Sequence, residues 1–315
     1  NSVEQAFTGA SGVEEVYISS TVCYIGDNAF SNMEKLLKIN VAIDNIYYSS
    51  LDGVLFNKNM TELIKYPMKK TDKYYHLPDT VIKIHSEAFK GAVNLERINI
   101  PISVSKIGSD ILSGVNNLYE LTYPGNYALT DLFGSHLIPS SLKTIKITEG
   151  ATYIVEKAFS NASFVERIEI PRSVNSIGAD AFTNMIYLKY INVDNNNNYY
   201  QSINGVLFNK EGTVLIKYPN NLYEFSYTIP NTVTRIEDNA FYLYHYLKTV
   251  IIHEKVSEIG ENAFSYSQIE NLSYPSKFTL SDLYGDIGLN SLKIINITSG
   301  TTILENAFVG GNNIE

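Results

Sequence analysis

Apolar residues recur along the chain in a fixed order and at a fixed spacing. The string I-G-x-x-A-F or a looser copy of it occurs at 25–30, 84–89, 107–112, 177–182, 236–241, 259–264 and 304–308. Between neighbouring copies runs L-x-x-I-x-I-P-x-S-V-x-x-I, which is clearest at 95–107 and recurs at 165–177. The shortest period is 23 residues, from 84 to 107 and from 236 to 259. Repetition on this scale predicts a solenoid, in which coils stack because a single coil cannot bury its apolar face.

The residues of one coil predict its local structure. The spacing of apolar side chains in 95–100 predicts a short strand with alternate side chains in the core. Pro101 lacks an amide hydrogen and ends the strand. Val104 and Ile107 are predicted to point inward, and Gly108 to permit a tight turn. The Ala-Phe segment that follows is predicted to form a short helix or an irregular turn.

A second period, of 152 residues, divides the chain into two similar cassettes. Residues 53–58 (G-V-L-F-N-K) recur at 205–210, and residues 64–67 (I-K-Y-P) recur at 216–219. We expect one continuous solenoid over residues 1–315. Its predicted parts are a first cassette at about 5–156, a second at about 157–306 and the start of a third at 307–315.

The interval between residues 25 and 84 is longer than one coil. We expect it to contain two strands joined by a tight turn, followed by a further coil. The tyrosine pairs at 47–48 and 199–200 are predicted to cap the core rather than to stack on a ligand. The run of four asparagines at 195–198 could hold calcium, but carboxylates are scarce nearby, and a solvated turn is the favoured interpretation.

These motifs resemble the BspA-like class of leucine-rich repeats. That class has a pattern close to I-G-x-x-A-F-x-x-C-x-x-L-x-x-I-x-I-P-x-S-V, and the similarity covers essentially the whole chain. Residues at or next to Glu34, Asn94 and Tyr187 replace the family's frequent cysteine. Ile111 and Leu112 replace Ala-Phe, which predicts a local irregularity between residues 109 and 142. The resemblance implies an α/β repeat: a right-handed leucine-rich-repeat solenoid with one parallel strand per coil, short helices or irregular turns opposite, and inserted β-hairpins.

Composition and charge exclude several classes of protein. The chain is 44% apolar, which is enough for a packed core. The net charge of −9 and the absence of a basic cluster argue against binding to nucleic acid. The chain has no run of eighteen apolar residues, so we do not expect it to insert into a membrane. We expect the chain to be part of a longer protein, with any signal and anchor outside it.

The sequence offers no recognisable catalytic or metal-binding motif. The five histidines include no pair at helical spacing, so we expect no metal site. Cys23 is predicted to be an outward thiol without a positioned histidine base. We therefore expect a protein that is not an enzyme and that needs no cofactor.

The candidate binding residues are those that the repeat leaves free on the strand side. In L-x-x-I-x-I the second and third variable positions face away from the core, and stacked coils arrange them in a ladder. Mixed charged and aromatic residues on a rigid sheet suit protein recognition, although an ordinary solvated sheet face explains them equally well. The predicted binding residues are Tyr17, Lys38, Arg97, Asn99, Glu120, Lys146, Arg167, Glu169, Tyr190 and Asn192.

Two functions follow from the resemblance and the absence of a site. The first is a secreted or cell-surface recognition or adhesion module that binds a protein or a glycan on host or bacterial surfaces, as a monomer. The alternative is a structural stalk that presents another domain of a larger surface protein.

Overall fold

A computed structural model describes residues 2–3, 9–26, 29–134, 138–285, 291–298 and 307–309. The chain divides into two compact units, Asn1–Ala151 (unit 1) and Thr152–Glu315 (unit 2). Each unit is a solenoid of stacked coils, as the repeat predicts. The predicted continuity of one solenoid over residues 1–315 stays a prediction, and most of the predicted third cassette lies outside the described residues.

The front strands of unit 1 come from the L-x-x-I-x-I segments. They are Glu15–Ile18, Lys38–Val41, Tyr74–His76, Arg97–Asn99, Glu120–Tyr123 and Thr144–Ile147. The first two pair in parallel, and the last four form a second parallel array. In register, Arg97 lies beside Glu120 on the next strand. Parallel pairing at this spacing is what one strand per coil requires.

The opposite side of unit 1 holds rear strands and an inserted meander. The rear strands are Ser2–Val3, Tyr24–Ile25, Lys83–Ile84 and Lys106–Ile107. The meander consists of the antiparallel strands Tyr48–Leu51, Val54–Asn57 and Glu62–Lys65. Its last strand pairs in parallel with Lys83–Ile84, so the insertion continues the rear sheet.

Unit 2 repeats these elements in the same order. Its front strands are Arg167–Ile170, Tyr190–Val193, Ser226–Thr228, Thr249–Ile251, Asn271–Tyr274 and Ile294–Ile297. Its rear strands are Tyr153–Ile154, Ser176–Ile177, Arg235–Ile236 and Glu258–Ile259. Its meander is Tyr200–Ile203, Val206–Asn209 and Val214–Lys217.

Each meander has three strands, where the sequence predicted two. The strand that the prediction missed is Tyr48–Leu51 in unit 1, which has no buried position in its burial pattern. Hydrogen bonds, rather than burial, position this strand. It pairs with Val54–Asn57, and its Ser50 Oγ accepts from the backbone N–H of Val41 at 3.0 Å. A strand without alternate apolar residues gives no periodic signal in the sequence.

The Ala-Phe segments form irregular turns rather than helices. Their backbone N–H groups donate to carbonyls of the following coil, as from Phe89 to Ile111 and from Phe241 to Ala263. Since these donors are used between coils, they do not form the i to i−4 bonds of a helix. In the described segments the residue before the Ala has positive φ; it is Asp180 (54°) or Asn239 (56°) in some coils, types that tolerate this conformation well, and Glu87 (56°) or Lys157 (54°) in others.

Gly108 has a different role from the predicted one. Its φ is not positive, so it is not needed for an unusual turn. A Cβ at this position would lie 2.2 Å from the backbone nitrogen of Ser86 in the preceding coil. Gly260 in unit 2 has the same constraint, with Asp238 N at 2.3 Å. This glycine therefore allows successive coils to approach each other closely.

The core is formed by the predicted repeat positions. In unit 1, Leu95, Ile98, Ile100 and Val104 are all at most 2% exposed. Ile107, predicted to be fully inward, is half-buried. In unit 2 a single cluster of buried side chains extends from Val206 to Leu292.

Late in each cassette, one five-residue helix replaces the ordinary return segment. Helix α1 is Leu129–Phe133 and helix α2 is Leu280–Tyr284. Helix α1 lies within residues 109–142, where the sequence predicted an irregularity, and this prediction is confirmed. Both helices bury their apolar residues in the core.

A buried asparagine stabilises the approach to each meander. Asn197 is 0% exposed, and its Nδ2 donates to the carbonyls of Pro171 and Val174. Its Oδ1 accepts from the backbone N–H groups of Tyr199 and Tyr200, both at 2.8 Å. The prediction of a solvated turn at 195–198 is therefore wrong for Asn197, because its amide replaces backbone partners inside the protein. Asn45 makes the corresponding bonds in unit 1.

Candidate binding faces

The first two front strands of unit 1 bring Tyr17 and Lys38 together around one carboxylate. Tyr17 is 76% exposed, and its hydroxyl donates to Glu15 Oε2 at 2.8 Å. Lys38 Nζ lies 3.9 Å from Glu15 Oε1, and Asn40 Nδ2 donates to Oε2 at 3.4 Å. The hydrogen bond to Glu15 and the charge of that carboxylate raise the pKa of Tyr17. The phenol therefore stays neutral at physiological pH and offers a large aromatic surface.

The other predicted residues of unit 1 lie on its four-stranded array. Arg97 is exposed beside Glu120, and Asn99 pairs in register with Thr122. Lys146 Nζ forms an ion pair with Glu120 Oε2 at 3.0 Å. Arg97, Asn99, Glu120 and Lys146 thus form one group, whereas Tyr17 and Lys38 lie on a separate pair of strands.

In unit 2 the four predicted residues are neighbours on two paired strands. Arg167 is in register with Tyr190, and its guanidinium carbon lies 5.7 Å from the centre of the Tyr190 ring. This distance allows a cation–π contact. Glu169 is in register with Asn192. All four side chains are exposed or half-buried, as predicted for the outward positions.

Ion pairs between adjacent coils balance much of the charge on both faces. Lys73 pairs with Glu96 at 2.7 Å in unit 1, and Lys189 pairs with Glu166 at 2.7 Å in unit 2. Such exposed pairs contribute little to stability. In each of these pairs the charge of the lysine is balanced by a glutamate of the neighbouring coil.

The sequence reasoning missed a row of exposed aromatic residues in unit 2, which we name the aromatic edge. Its members, each three positions before a front strand, are Phe164, Tyr187, Tyr223 and Tyr246. Their exposed fractions are 43%, 47%, 66% and 38%. The Phe164 and Tyr187 rings stack with centres 5.7 Å apart, and those of Tyr223 and Tyr246 lie 4.9 Å apart.

The hydrophobic pattern of a single repeat does not distinguish the residues of the aromatic edge from core residues. Phe164, Tyr187 and Tyr246 each precede a buried apolar residue, so each looks like part of the core pattern. Comparing the two cassettes at an offset of 152 would have found the row. The corresponding positions of unit 1 are Gly12, Lys35, Thr71 and Asn94.

Unit 2 also has a cavity of about 540 Å³ beside its meander. Its lining includes Lys217, Asp180, Glu237 and Glu261. Lys217 is 5% exposed, and its Nζ donates to the carbonyl of Asn239 at 3.1 Å. Burial lowers the pKa of this amine to about 7. The acidic lining and the buried amine make the cavity polar.

A smaller cavity of unit 1, about 300 Å³, is lined by Cys23, Glu62 and His85 among others. His85 Nε2 and Glu62 Oε2 are 2.7 Å apart, and this contact, chiefly, lowers the pKa of Glu62. Cys23 is exposed, as predicted. The sequence did not predict that Cys23 and His85 line the same cavity, because the two residues belong to different coils.

In the residues that the structure describes, no three side chains of His, Cys, Asp or Glu are grouped so that they could hold a metal ion. Across the same residues, no helix has the length and apolar character needed to cross a bilayer.

The chain matches the family model of the BspA type leucine rich repeat region, with six copies, over residues 2–55, 65–161, 136–228 and 220–315. No curated protein matches it significantly. Among solved structures, a leucine-rich repeat protein from Eubacterium ventriosum is 21% identical, with a TM-score of 0.51, covering 84% of this chain and 73% of that one. A leucine-rich repeat protein from Bacteroides ovatus is 20% identical, with a TM-score of 0.48, covering 94% and 87%. A leucine rich cell surface protein from Faecalibacterium prausnitzii is 20% identical, with a TM-score of 0.42, covering 81% and 86%.

Proposed function

The chain belongs to the BspA-type leucine-rich repeat family, and from this premise we propose that it is a non-catalytic recognition or adhesion module. It acts at the cell surface or after secretion, as a monomer, and binds a protein or a glycan on host or bacterial surfaces. Repeat solenoids commonly use an extended face for binding, which supports this proposal.

The observation that carries the proposal is the outward arrangement of unlike side chains on each front sheet. In unit 2, Arg167 and Tyr190 combine a cation and an aromatic ring on adjacent strands. In unit 1, Tyr17 exposes most of its ring while Glu15 fixes its hydroxyl. Tyrosine and arginine are enriched at the energetic centres of protein interfaces. Their strands are held by parallel pairing, so little conformational entropy is lost on binding.

The test is binding of the folded protein to arrays of host-matrix proteins and glycans. A variant carries alanine in place of Tyr17, Arg97, Arg167 and Tyr190, and circular dichroism confirms its fold. We expect specific binding that weakens at least about tenfold in the variant, since each residue is a candidate hot spot. Absence of binding by the folded wild-type protein would contradict the proposal.

The ion pairs on the front sheets favour a second candidate, a structural stalk. Lys146 and Glu120 already satisfy each other, as do Lys189 and Glu166. A face whose charges are paired internally can serve as a spacer without a ligand. Full-length protein whose adhesion survives the four alanine substitutions would support the stalk.

A further inference from the structure

The two cassettes differ systematically at one row of positions. Four places that hold Gly12, Lys35, Thr71 and Asn94 in unit 1 hold the aromatic edge in unit 2. A single exposed ring needs no explanation, because surfaces contain many apolar atoms. At four equivalent places in its front coils, unit 2 has aromatic residues in two contacting pairs, where unit 1 has no aromatic residue.

Ring contacts join the members of the aromatic edge in two pairs. Phe164 stacks on Tyr187 with an angle of 10° between the rings. Desolvation, followed by the neighbouring Tyr223 and then Tyr187, raises the pKa of Tyr246. The rings follow the coils at separations of 4.9 and 5.7 Å, close to the spacing of neighbouring strands of about 4.8 Å. A repeating ligand could contact one ring per coil.

Two lysine–glutamate ion pairs lie beside the aromatic edge. Lys189 pairs with Glu166 at 2.7 Å, and Lys248 pairs with Glu270 at 3.0 Å. Between these pairs along the row stands Phe225, which is 72% exposed and occupies the position of Lys73 in unit 1. A charged ligand would find no unmatched partner in these pairs, which favours an uncharged one.

We propose that the aromatic edge of unit 2 binds a neutral oligosaccharide. Aromatic rings carry negative charge on their faces, and the C–H face of a sugar ring packs against them. The hydroxyls of Tyr187, Tyr223 and Tyr246 then exchange hydrogen bonds with the sugar hydroxyls. Tyr190, which is exposed, begins the front strand three positions after Tyr187. This inference rests on the proposed recognition function and assigns it a ligand class and a location.

The test measures calorimetric binding of short oligomers of glucose, mannose and galactose at millimolar concentration. One variant combines Tyr187→Ala, Tyr223→Ala and Tyr246→Ala, and a second has phenylalanine at the same positions. The matched control combines Lys35→Ala, Thr71→Ala and Asn94→Ala in unit 1. We expect at least a tenfold loss in the alanine variant, a smaller loss in the phenylalanine variant and less than a twofold change in the control.

Three results would overturn the inference. They are no binding of any neutral oligomer, binding that the alanine variant retains, and exclusive binding of a proline-rich peptide, which also docks on aromatic surfaces. A protein ligand lost only in the front-sheet variant would leave the recognition function standing and remove the oligosaccharide. Failure of every probe would contradict both.

Discussion

At the start of each meander, Asn45 of unit 1 and Asn197 of unit 2 make the same buried hydrogen bonds. At the edge of the front sheet the two units differ, with Lys35 in one and Tyr187 in the other. At these positions, the residue that satisfies buried backbone groups is the same in both cassettes, whereas the residue that faces solvent has diverged. We infer that the geometry of the coil restricts which residues are possible in the interior. The candidate binding surfaces lie at exposed positions, where this restriction is absent.

The largest effect that we predict tests whether the buried asparagine stabilises both units to a similar extent. Asn197→Ala leaves four backbone groups without partners, and we expect the free energy of unfolding to fall by about 3 kcal/mol or more. Asn45→Ala should produce a similar loss, since its four bonds correspond. Urea denaturation measures both.

Asn195→Ala is the control, because Asn195 is an exposed neighbour in the same run. It should change the free energy of unfolding by less than about 0.5 kcal/mol. A loss near that small value for Asn197→Ala would show that the buried amide is not required.

The next prediction concerns a place where the interiors differ. Lys65 lies near Glu87, and its pKa is lowered to about 8, whereas Asn239 replaces that carboxylate beside Lys217, whose pKa is lowered to about 7. Lys217→Met removes a buried cation, and we expect it to raise the free energy of unfolding at neutral pH by about 1–4 kcal/mol. Lys65→Met should stabilise less, because the charge of Glu87 already offsets part of the cost of burying the Lys65 ammonium.

The effect of Lys217 should depend on pH. The folded amine has a pKa of about 7, whereas an ordinary lysine side chain in water has a pKa of 10.5. Between these values the unfolded chain binds more protons, so the free energy of unfolding rises with pH in the wild type. The gain from Lys217→Met should therefore be complete below about pH 7 and decrease toward pH 10.5. A gain that does not change with pH would contradict burial of the charged amine as its cause.

A smaller effect tests the close approach of successive coils. A Cβ at Gly108 or Gly260 would contact the backbone of the preceding coil at 2.2 or 2.3 Å. Gly108→Ala and Gly260→Ala should each lower the free energy of unfolding by about 1–3 kcal/mol through overpacking. Gly12→Ala, with no atom within 4 Å of the new Cβ, is the control and should be nearly neutral. Equal losses at Gly12 and Gly108 would contradict a steric role.

Much of the fold could be predicted because the core repeats. The spacing of Leu95, Ile98 and Ile100 predicts a front strand, and the structure has one at each such segment of the described chain. The first strand of the meander, Tyr48–Leu51, could not be predicted, since it has no alternation of buried and exposed residues. Asn197 was misinterpreted because a buried asparagine and a solvated one look alike in a polar run.

The candidate site could be predicted only in part. The outward orientation of Arg167 and Tyr190 followed from the period of the strand, and the structure places these side chains beside each other. The aromatic edge could not be found in the same way, because Tyr187 and Tyr246 adjoin buried leucines and share their apolar character. Exposure at these positions depends on how the chain enters the front strand, which the hydrophobic pattern does not encode.

The central claim is that recognition uses the diverged surface of unit 2 more than the equivalent surface of unit 1. The most direct measurement compares two variants at equivalent positions of the two units, Tyr187→Ala with Tyr246→Ala in unit 2, and Lys35→Ala with Asn94→Ala in unit 1. Affinity for a ligand identified on the arrays is then compared by calorimetry. We predict a loss of about tenfold or more for the unit 2 pair and a clearly smaller loss for the unit 1 pair. A loss confined to the unit 1 pair would contradict the account.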